Sequence, residues 1–435
     1  MIFPRSFLAV CIAVLAAFPR LSVASILGID FGQATTKAAL VSPGIPFEIV
    51  LTRDSKRKDV SAIGFKKDER LYGNSATTFA ARSPENVFSG MKSLLGLSIL
   101  SPEAEVYMEQ HPGVTLAPSG NRSTVSFKAI DTTFAIEELL GMSFAHVKSL
   151  AESMLPKDSA VTTIRDVAIT VPPFFTSLQR KALIDAAEIG GLRVVALVSD
   201  GVATAINYAS TRTFTSEKQY HMILDIGAGS TSATLVSFQE GPVGNSIAGK
   251  TALNITVESV GYDSSLGGDL LDQRIYEILL ARFTTNHGTG IESNARALVR
   301  LHKEAERAKT ILSANQEVRV SVESLYDDID LRTVVTRAEF EEAIADVLPR
   351  LHQPIETALS KAKLDILEVS SVILMGGSTR VPIFQNVLVK EILNGDASKV
   401  SKGINADEAA VLGAAFRGVT VSRQFKTTKE INVIE

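Results

Sequence analysis

The 435-residue sequence holds a single cysteine, Cys11, and no tryptophan. One thiol permits neither an intrachain disulfide nor a cysteine-based metal centre. Aromatic residues make up only 6% of the chain, so the core has to come from aliphatic side chains. There is no basic block. Lys and Arg number 44 against 48 Asp and Glu, a formal charge of −4, which leaves no electrostatic footprint for nucleic acid. Apolar residues, by contrast, make up 45% of the chain, enough for two or three domain-sized units with real cores. That composition excludes a disordered, collagen-like or disulfide-stapled chain. Glycine is plentiful, at 29 residues, and several glycines stand directly after apolar runs.

The first 24 residues read as a secretory signal peptide: Arg5, an apolar run from Phe7 to Phe18, and the small-x-small close Ser22-Val23-Ala24. The run is short for an uncleaved membrane anchor. No later run is long and apolar enough to span a bilayer, so no membrane contact is expected after cleavage. Asn121-Arg-Ser123 and Asn254-Ile-Thr256 match the glycosylation acceptor pattern. Such triplets are common by chance and add only agreement with a secretory route.

The remainder reads as two similar halves. Ile26 to Asp30 is an apolar strand ending in an acid and a Gly turn, followed by strands at Ala38–Ser42 and Phe47–Leu51 with Pro43, Gly44 and Pro46 between them. Met222 to Gly227 repeats the pattern, with the turn Gly227–Thr231 and a second strand at Ala233–Phe238. Val167–Val171 and Val372–Met375 are each buried strands followed by a turn and a helix, the first helix opening near Ser177. A duplicated α/β unit is expected, with a ligand cleft between the halves. Helix-rich inserts are expected at 86–155 and 267–365, the second interrupted by strands near Val318–Val322 and Leu331–Val335. The polar end from Lys426 is expected to fray.

Three Gly-rich turns follow apolar strands: Asp30-Phe31-Gly32-Gln33, Gly227-Ala228-Gly229-Ser230 and Gly376-Gly377-Ser378-Thr379. Gly there lets backbone N–H groups approach an anion, and following helix N-termini add positive potential. Each alone is equally well a structural turn; together, on two halves, they point to phosphate. Asp30 and Asp225 end equivalent strands, and two carboxylates facing across a cleft suit a hydrated Mg²⁺; the alternative is that each caps its own turn. Asp407-Glu408 could be a further metal-side acid, or a pair serving the N-terminal dipole of the helix at Ala409–Phe416. Glu306, Lys309 and Ser313 share one stripe of an amphipathic helix, fit either for a ribose and base edge or for solvent.

These pieces, with Val167–Arg180, Gly376–Arg380 and Asn405–Ala409, resemble the nucleotide-binding domain of the heat-shock seventy chaperone family, within the actin and sugar-kinase superfamily, over residues 26 to 420. Pro43–Leu51 and Ser55-Lys56-Arg57-Lys58 resemble its large endoplasmic-reticulum branch, whose fungal form is an exchange factor for the principal lumenal member. The resemblance implies a duplicated actin-like (ribonuclease H-like) two-lobed α/β ATPase fold with helical outer subdomains. It also implies a signal peptide at 1–24, a first lobe at 25–207 with an outer insert near 64–155, and a second lobe at 208–420 with an insert near 267–344. The start of a linker would lie at 421–435, with no substrate-binding domain following.

For the site, the resemblance implies ATP or ADP with Mg²⁺. Asp30 and Asp225 would lie on the metal side, with Asp407 nearby. Gly32, Gly227, Gly229 and Gly377 would line the phosphates, beside Gln33, Ala34, Ala228, Ser230 and Gly376. Glu306, Lys309 and Ser313 would clamp adenosine opposite Gly377, Ser378 and Arg380. Lys92, Asp200 and Asp225 would serve the chemistry. Several positions depart from the family pattern. Gln33 and Ala34 replace two threonines, Asp200 replaces glutamate, Gly201 a proline, Ser232 a carboxylate and Thr310 an adenine-stacking arginine. Lost hydroxyls and a shortened acid should slow phosphoryl transfer more than binding. The expectation is an ATP-binding chaperone of the endoplasmic-reticulum lumen that assists folding and exchanges nucleotide on a lumenal heat-shock seventy partner. Unfolded clients would be bound only if a substrate-binding domain exists in the full-length product. The rival readings are a competent ATP hydrolase and a small-molecule kinase of the same superfamily.

Overall fold

A computed structural model describes residues 25–435 except 121, 159–160, 243–250, 402, 423–424 and 426–429. Residues 1–24, expected to be a signal peptide, and Asn121, expected as a glycosylation acceptor, lie outside the described residues.

In the first half, β1 (Ile26–Phe31) pairs antiparallel with β2 (Thr35–Ser42), which pairs with β3 (Ile45–Ile49). On its other side β1 pairs parallel with β4 (Asp166–Val171), and α1 (Ser177–Ile189) leads from β4 to β5 (Arg193–Ser199), the sheet's far edge. The sheet order is β5-β4-β1-β2-β3. β4 is buried along its whole length, as a central parallel strand with both faces covered must be. Thr176 and Gln179 form a reciprocal cap that starts α1.

After α2 (Asp200–Ser210), the second half repeats this wiring. β6 (Gln219–Ile226) pairs antiparallel with β7 (Thr231–Pro242), which pairs with β8 (Thr251–Asp263). From this sheet the chain passes through α3 (Gly268–His287) and α4 (Ala295–Leu312) to β9 (Val369–Met375), which pairs parallel with β6, and to β10 (Val400–Ser401). The duplication expected from sequence is therefore present in the topology, strand for strand.

The halves are joined through α2 and α5 (Ala409–Ser422), which pack on each other. α5 also lies on β1, β2, β4 and β5 of the first sheet, while α2 packs on β6 and β7 of the second. Small residues permit this. A Cβ at Gly413 would sit 1.7 Å from the Ala203 carbonyl oxygen, and one at Gly28 would sit 2.7 Å from Ala415. Hinge helix and sheet thus meet backbone to backbone.

Two expectations need correction. The first outer insert, expected as helical stretches, is also stranded. It carries two three-stranded sheets, one from 62–66, 69–72 and 87–89, the other from 116–118, 125–129 and 132–135, beside helix Ile136–Ser153. The helix packs on 62–66, 125–129 and 132–135. The second insert pairs strands Glu317–Tyr326 and Ile329–Thr336 beside α3 and α4, where strands near Val318–Val322 and Leu331–Val335 were expected. The second correction is at the end of the chain. Residues 431–434, expected to fray within a linker, form β11 (Ile431–Ile434), parallel to β8, with Ile431 buried in the second-lobe core. Ladder hydrogen bonds order this short Ile-Asn-Val-Ile segment, and Val433 packs on the same core; its four residues follow a polar stretch that obscures them in the sequence. No helix among the described residues is long and apolar enough to cross a membrane.

Candidate nucleotide site

The two β-hairpin turns close alike. The Gly32 N–H donates to the Thr35 carbonyl at 3.0 Å, and the Gly227 N–H to the Ser230 carbonyl at 2.9 Å. Between them, the N–H groups of Gln33, Ala34, Ala228 and Gly229 have no protein partner among the described residues. The turns face each other: a Cβ on Gly229 would come within 3.2 Å of Gln33 Cγ. Four free backbone donors from two apposed turns form an anion cradle. The third turn comes in beneath. Gly376 has φ +81°, and a Cβ there would lie 2.2 Å from the Ile226 carbonyl oxygen and 2.5 Å from Asp225 Oδ1, so only glycine fits. At Gly377 a Cβ would meet nothing within 4 Å. Ser378 is pinned, its hydroxyl donating to the Gly227 carbonyl at 2.8 Å.

Three carboxylates and two lysines converge below the cradle. Asp30 Oδ2 accepts from Lys37 Nζ at 2.7 Å and Oδ1 from the Thr170 hydroxyl at 2.9 Å. Burial opposes its charge, but Lys37 and then Lys92 and Thr170 outweigh it, holding Asp30 below the usual carboxylate range. Asp200, at the start of α2, is raised by burial and by Asp30, and its Oδ1 is buried with no partner. Burial, Asp200 and Asp30 push Asp225 up to about 7. The asymmetry comes from hairpin register: Lys37 stands opposite Asp30, whereas Ser232 stands opposite Asp225. Lys92 is buried at the end of a short helical turn, its ammonium 5.8 Å from the Phe31 ring centre and 6.0 Å from that of Phe175.

This donor set fits Mg²⁺. An orphaned buried carboxylate oxygen beside a second partly charged carboxylate is what a hard cation would satisfy, with water completing the shell. Asp30, with both oxygens engaged, would act on such an ion through water. No three His, Cys, Asp or Glu side chains among the described residues are grouped to hold an ion directly.

Gln33 has a structural task beyond its backbone. Its Nε2 donates to the Gly90 carbonyl at 2.9 Å and its Oε1 accepts from the Ser93 N–H at 3.0 Å. It therefore fastens the turn that carries Lys92. On α4, Lys309 donates to the Gly268 carbonyl at 3.0 Å and pairs with Asp272. Its Nζ and the Ser378 hydroxyl flank Gly268. Glu306 is exposed one turn away, and the Ser313 hydroxyl donates to the Lys309 carbonyl at 3.0 Å. Arg380 and Asp407 are joined by an Nη2–Oδ2 bond of 2.7 Å, and Asp407 lies close enough to Lys37 to favour its charged form. Gly201 sits where a Cβ would come 2.2 Å from Thr234 Oγ1. Thr310 is exposed and bonds its own helix at the Glu306 carbonyl.

Sequence reasoning missed Lys37, Thr170, Gly267 and Asp272. Lys37 is a lone cation inside the apolar run of β2, and hairpin register would have put it opposite Asp30. Gly267, ahead of α3, stands four residues beyond the end of β8. Its backbone abuts the Gly227–Ser230 turn, where a Cβ would lie 2.2 Å from the Ala228 carbonyl oxygen. The N–H groups of Gly268 and Asp269 hold that turn by its Gly227 and Ala228 carbonyls.

Comparison with known proteins agrees with this geometry. The family model described as "Hsp70 protein" matches residues 26–434. The chain is 39% identical to "Heat shock protein 70 homolog lhs1" of Schizosaccharomyces pombe over 97% of its own length and 49% of that protein. It is 38% identical to "Heat shock protein 70 homolog LHS1" of Saccharomyces cerevisiae, over 95% of this chain and 49% of that one. To "Hypoxia up-regulated protein 1" of Xenopus laevis it is 38% identical, over 92% and 61%. The chain thus spans about half the length of the fungal relatives it matches. A match across 26–434, on a duplicated α/β framework with an anion cradle between its halves, places this chain in the Hsp70 family, with the fold of that family's nucleotide-binding domain.

Proposed function

We propose that this chain is an ATP- and Mg²⁺-binding chaperone component of the endoplasmic-reticulum lumen that assists folding and speeds nucleotide exchange on a lumenal Hsp70 partner. One observation carries the nucleotide reading: two apposed turns with free backbone donors stand over three carboxylates and two lysines. A polyphosphate would be held by the N–H groups of Gln33, Ala34, Ala228 and Gly229. The adenosine end would lie along Lys309, Glu306 and Ser313, with Gly377 leaving room. A bound Mg²⁺ would supply charge neutralisation for the phosphates, beside Asp225 and Asp200. The signal-peptide pattern of residues 1–24 supports the lumenal assignment. The exchange role is supported by the resemblance of Pro43–Leu51 and Ser55–Lys58 to the large endoplasmic-reticulum branch, together with Gln33. Where a phosphate-facing hydroxyl was expected, both polar atoms of the Gln33 amide are spent on the Lys92 turn. Nucleotide would then act by favouring one lobe arrangement.

The reading of a competent ATP hydrolase has its own support. Lys92 lies close enough to Asp200 and Asp225 to favour their charged forms, and a buried cation there could orient a phosphate and an attacking water. Single-turnover hydrolysis by the purified chain with Mg²⁺, alongside ADP release from a lumenal Hsp70 partner, separates the two. Tight ATP binding, slow turnover and ATP-dependent release of the partner's ADP are expected. Fast turnover without any effect on the partner would replace the exchange reading with the hydrolase one. Absence of ATP binding would overturn both.

A further inference from the structure

The loop carrying Ser55-Lys56-Arg57-Lys58 has no part in the cradle, yet its conformation is defined. Ser55 adopts φ +58°, and Thr52 and Lys56 bond each other through Thr52 N–H to Lys56 O at 2.9 Å and Lys56 N–H to Thr52 Oγ1 at 3.1 Å. This turn presents Arg57 and Lys58 to the N-terminus of α5. The Arg57 guanidinium grips Glu408 with two nitrogens, Nε on Oε1 and Nη2 on Oε2, the latter at 3.0 Å. Lys58 Nζ lies 3.4 Å from Asp407 Oδ1, while Arg380 of the second lobe holds Asp407 Oδ2 at 2.7 Å. Asp407 is therefore shared between a first-lobe lysine and a second-lobe arginine, one oxygen each. Bidentate geometry and a linked network distinguish these pairs from isolated surface bridges.

We infer that Arg57 and Lys58 are positioning residues for nucleotide retention: through Glu408 and Asp407 they latch the first lobe to the N-terminus of α5 and to Arg380, opposing the lobe opening that releases nucleotide. This rests on the nucleotide-binding reading above. Separating the lobes stretches the Lys58–Asp407–Arg380 chain, so the latch acts on the release rate and not on phosphate chemistry.

The test is the dissociation rate of a fluorescent ADP from the full chain, by stopped flow, for Arg57→Glu, Glu408→Arg, the double swap and Lys58→Gln. Each single charge reversal is expected to speed release about three- to fivefold, the upper end of the scale for an exposed pair. The double swap should restore the rate to within about twofold, a coupling that independent sites would not produce. Raised salt should speed release from the unaltered chain and have less effect on Arg57→Glu. Lys58→Gln, which preserves bulk, covers the case in which a reversal fails to fold; a melting curve recorded for each variant identifies that case. Unchanged release across the variants, with ADP still bound, overturns the latch and leaves the nucleotide reading standing. A double swap as fast as the singles also overturns it. No ADP binding by the unaltered chain overturns both.

Discussion

Asp225 should make the ligand-free protein less stable as pH rises from about 4 to about 7. Its carboxyl has an ordinary value of 3.8 and is pushed up to about 7 by burial and by Asp200 and Asp30. Between those limits the folded chain keeps a proton that the unfolded chain has lost, so stability falls as pH climbs through the window. A shift from 3.8 to about 7, converted in full, gives about 4 kcal/mol. The side chain keeps some solvent contact and is coupled to Asp200, so a third to a half of that is the realistic share, roughly 1–2 kcal/mol. Asp225→Asn removes the cost while keeping the shape. It should raise the melting temperature at pH 8 by about 2–8 °C, since about 1 kcal/mol moves a lobe-sized unit 2–4 °C. It should also flatten the slope between about pH 4 and 7.

The assay is scanning calorimetry in chelator at pH 5, 6, 7 and 8. Asp272 is likewise pushed up to about 7, by burial set against Lys309, so Asp225→Asn will leave a residual slope, and the comparison is between variants. Asp30, held low by Lys37, loses its stabilising charge only as pH falls below its ordinary value of 3.8, outside this window. Adding Mg²⁺ at pH 8 should stabilise the unaltered chain more than Asp225→Asn, because only the former offers the Asp225 carboxylate beside those of Asp200 and Asp30. An asparagine variant that melts lower at pH 8, or keeps the full slope, would refute the claim that Asp225 bears an uncompensated like-charge cost.

Lys92→Ala should cut single-turnover hydrolysis by about 10²–10³ while changing ATP affinity only a few-fold, the pattern of a group acting on developing charge; equal losses in both would make Lys92 a binding residue. Gln33→Ala should free the turn at Gly90–Ser93 at a cost of about 1–2 kcal/mol. Faster amide exchange at residues 90–95 would register it, and an unchanged pattern would deny Gln33 its fastening role. Gly376→Ala puts a Cβ 2.2 Å from the Ile226 carbonyl in a backbone at φ +81°. It should destabilise the chain by about 1–3 kcal/mol in urea and weaken ATP binding, whereas a neutral result would mean the turn moves freely. Ile431→Asp should release β11, exposing residues 431–434 to exchange while leaving the melting of the first lobe unchanged.

What the sequence made legible was the repeated local grammar: an apolar strand, an acid, a glycine turn and small hydroxyl residues. Each of those features is set by neighbours in the chain. Asp30, Asp225, the three turns and the helix start at Ser177 all stand where that grammar put them. Features set by distant partners were not legible. β11 exists because β8 offers an edge and the core accepts Ile431. The first insert's strands pair over short spans with weak alternation, so helix periodicity dominated the reading there. Gly267 matters because its backbone abuts the Ala228 carbonyl, a contact no local pattern announces. Arg380 and Asp407 fall near each other only because β9 and α5 converge.

The repeat also explains why the two halves cannot do the same job. Both hairpins place an acid at the strand end and a partner directly across the ladder, a spacing at which side chains interact strongly. In the first half that partner is Lys37, and the acid is neutralised within its own hairpin. In the second it is Ser232, which is buried and uncharged, so Asp225 must find its cation elsewhere. Lys92 supplies part of it from the outer insert of the opposite lobe, on a turn fastened by Gln33. Lys92 does not outweigh what opposes that charge: burial, Asp200 and Asp30, the last from the opposite lobe, leave Asp225 pushed up to about 7. The closed cleft therefore costs the second acid its charge, while the first keeps its own through Lys37. A cation bound at Asp225 would remove that cost, whereas a phosphate chain that draws on Lys92 would add to it. A two-lobed fold with one self-sufficient acid and one dependent acid would in this way let bound nucleotide and metal set how far the lobes close.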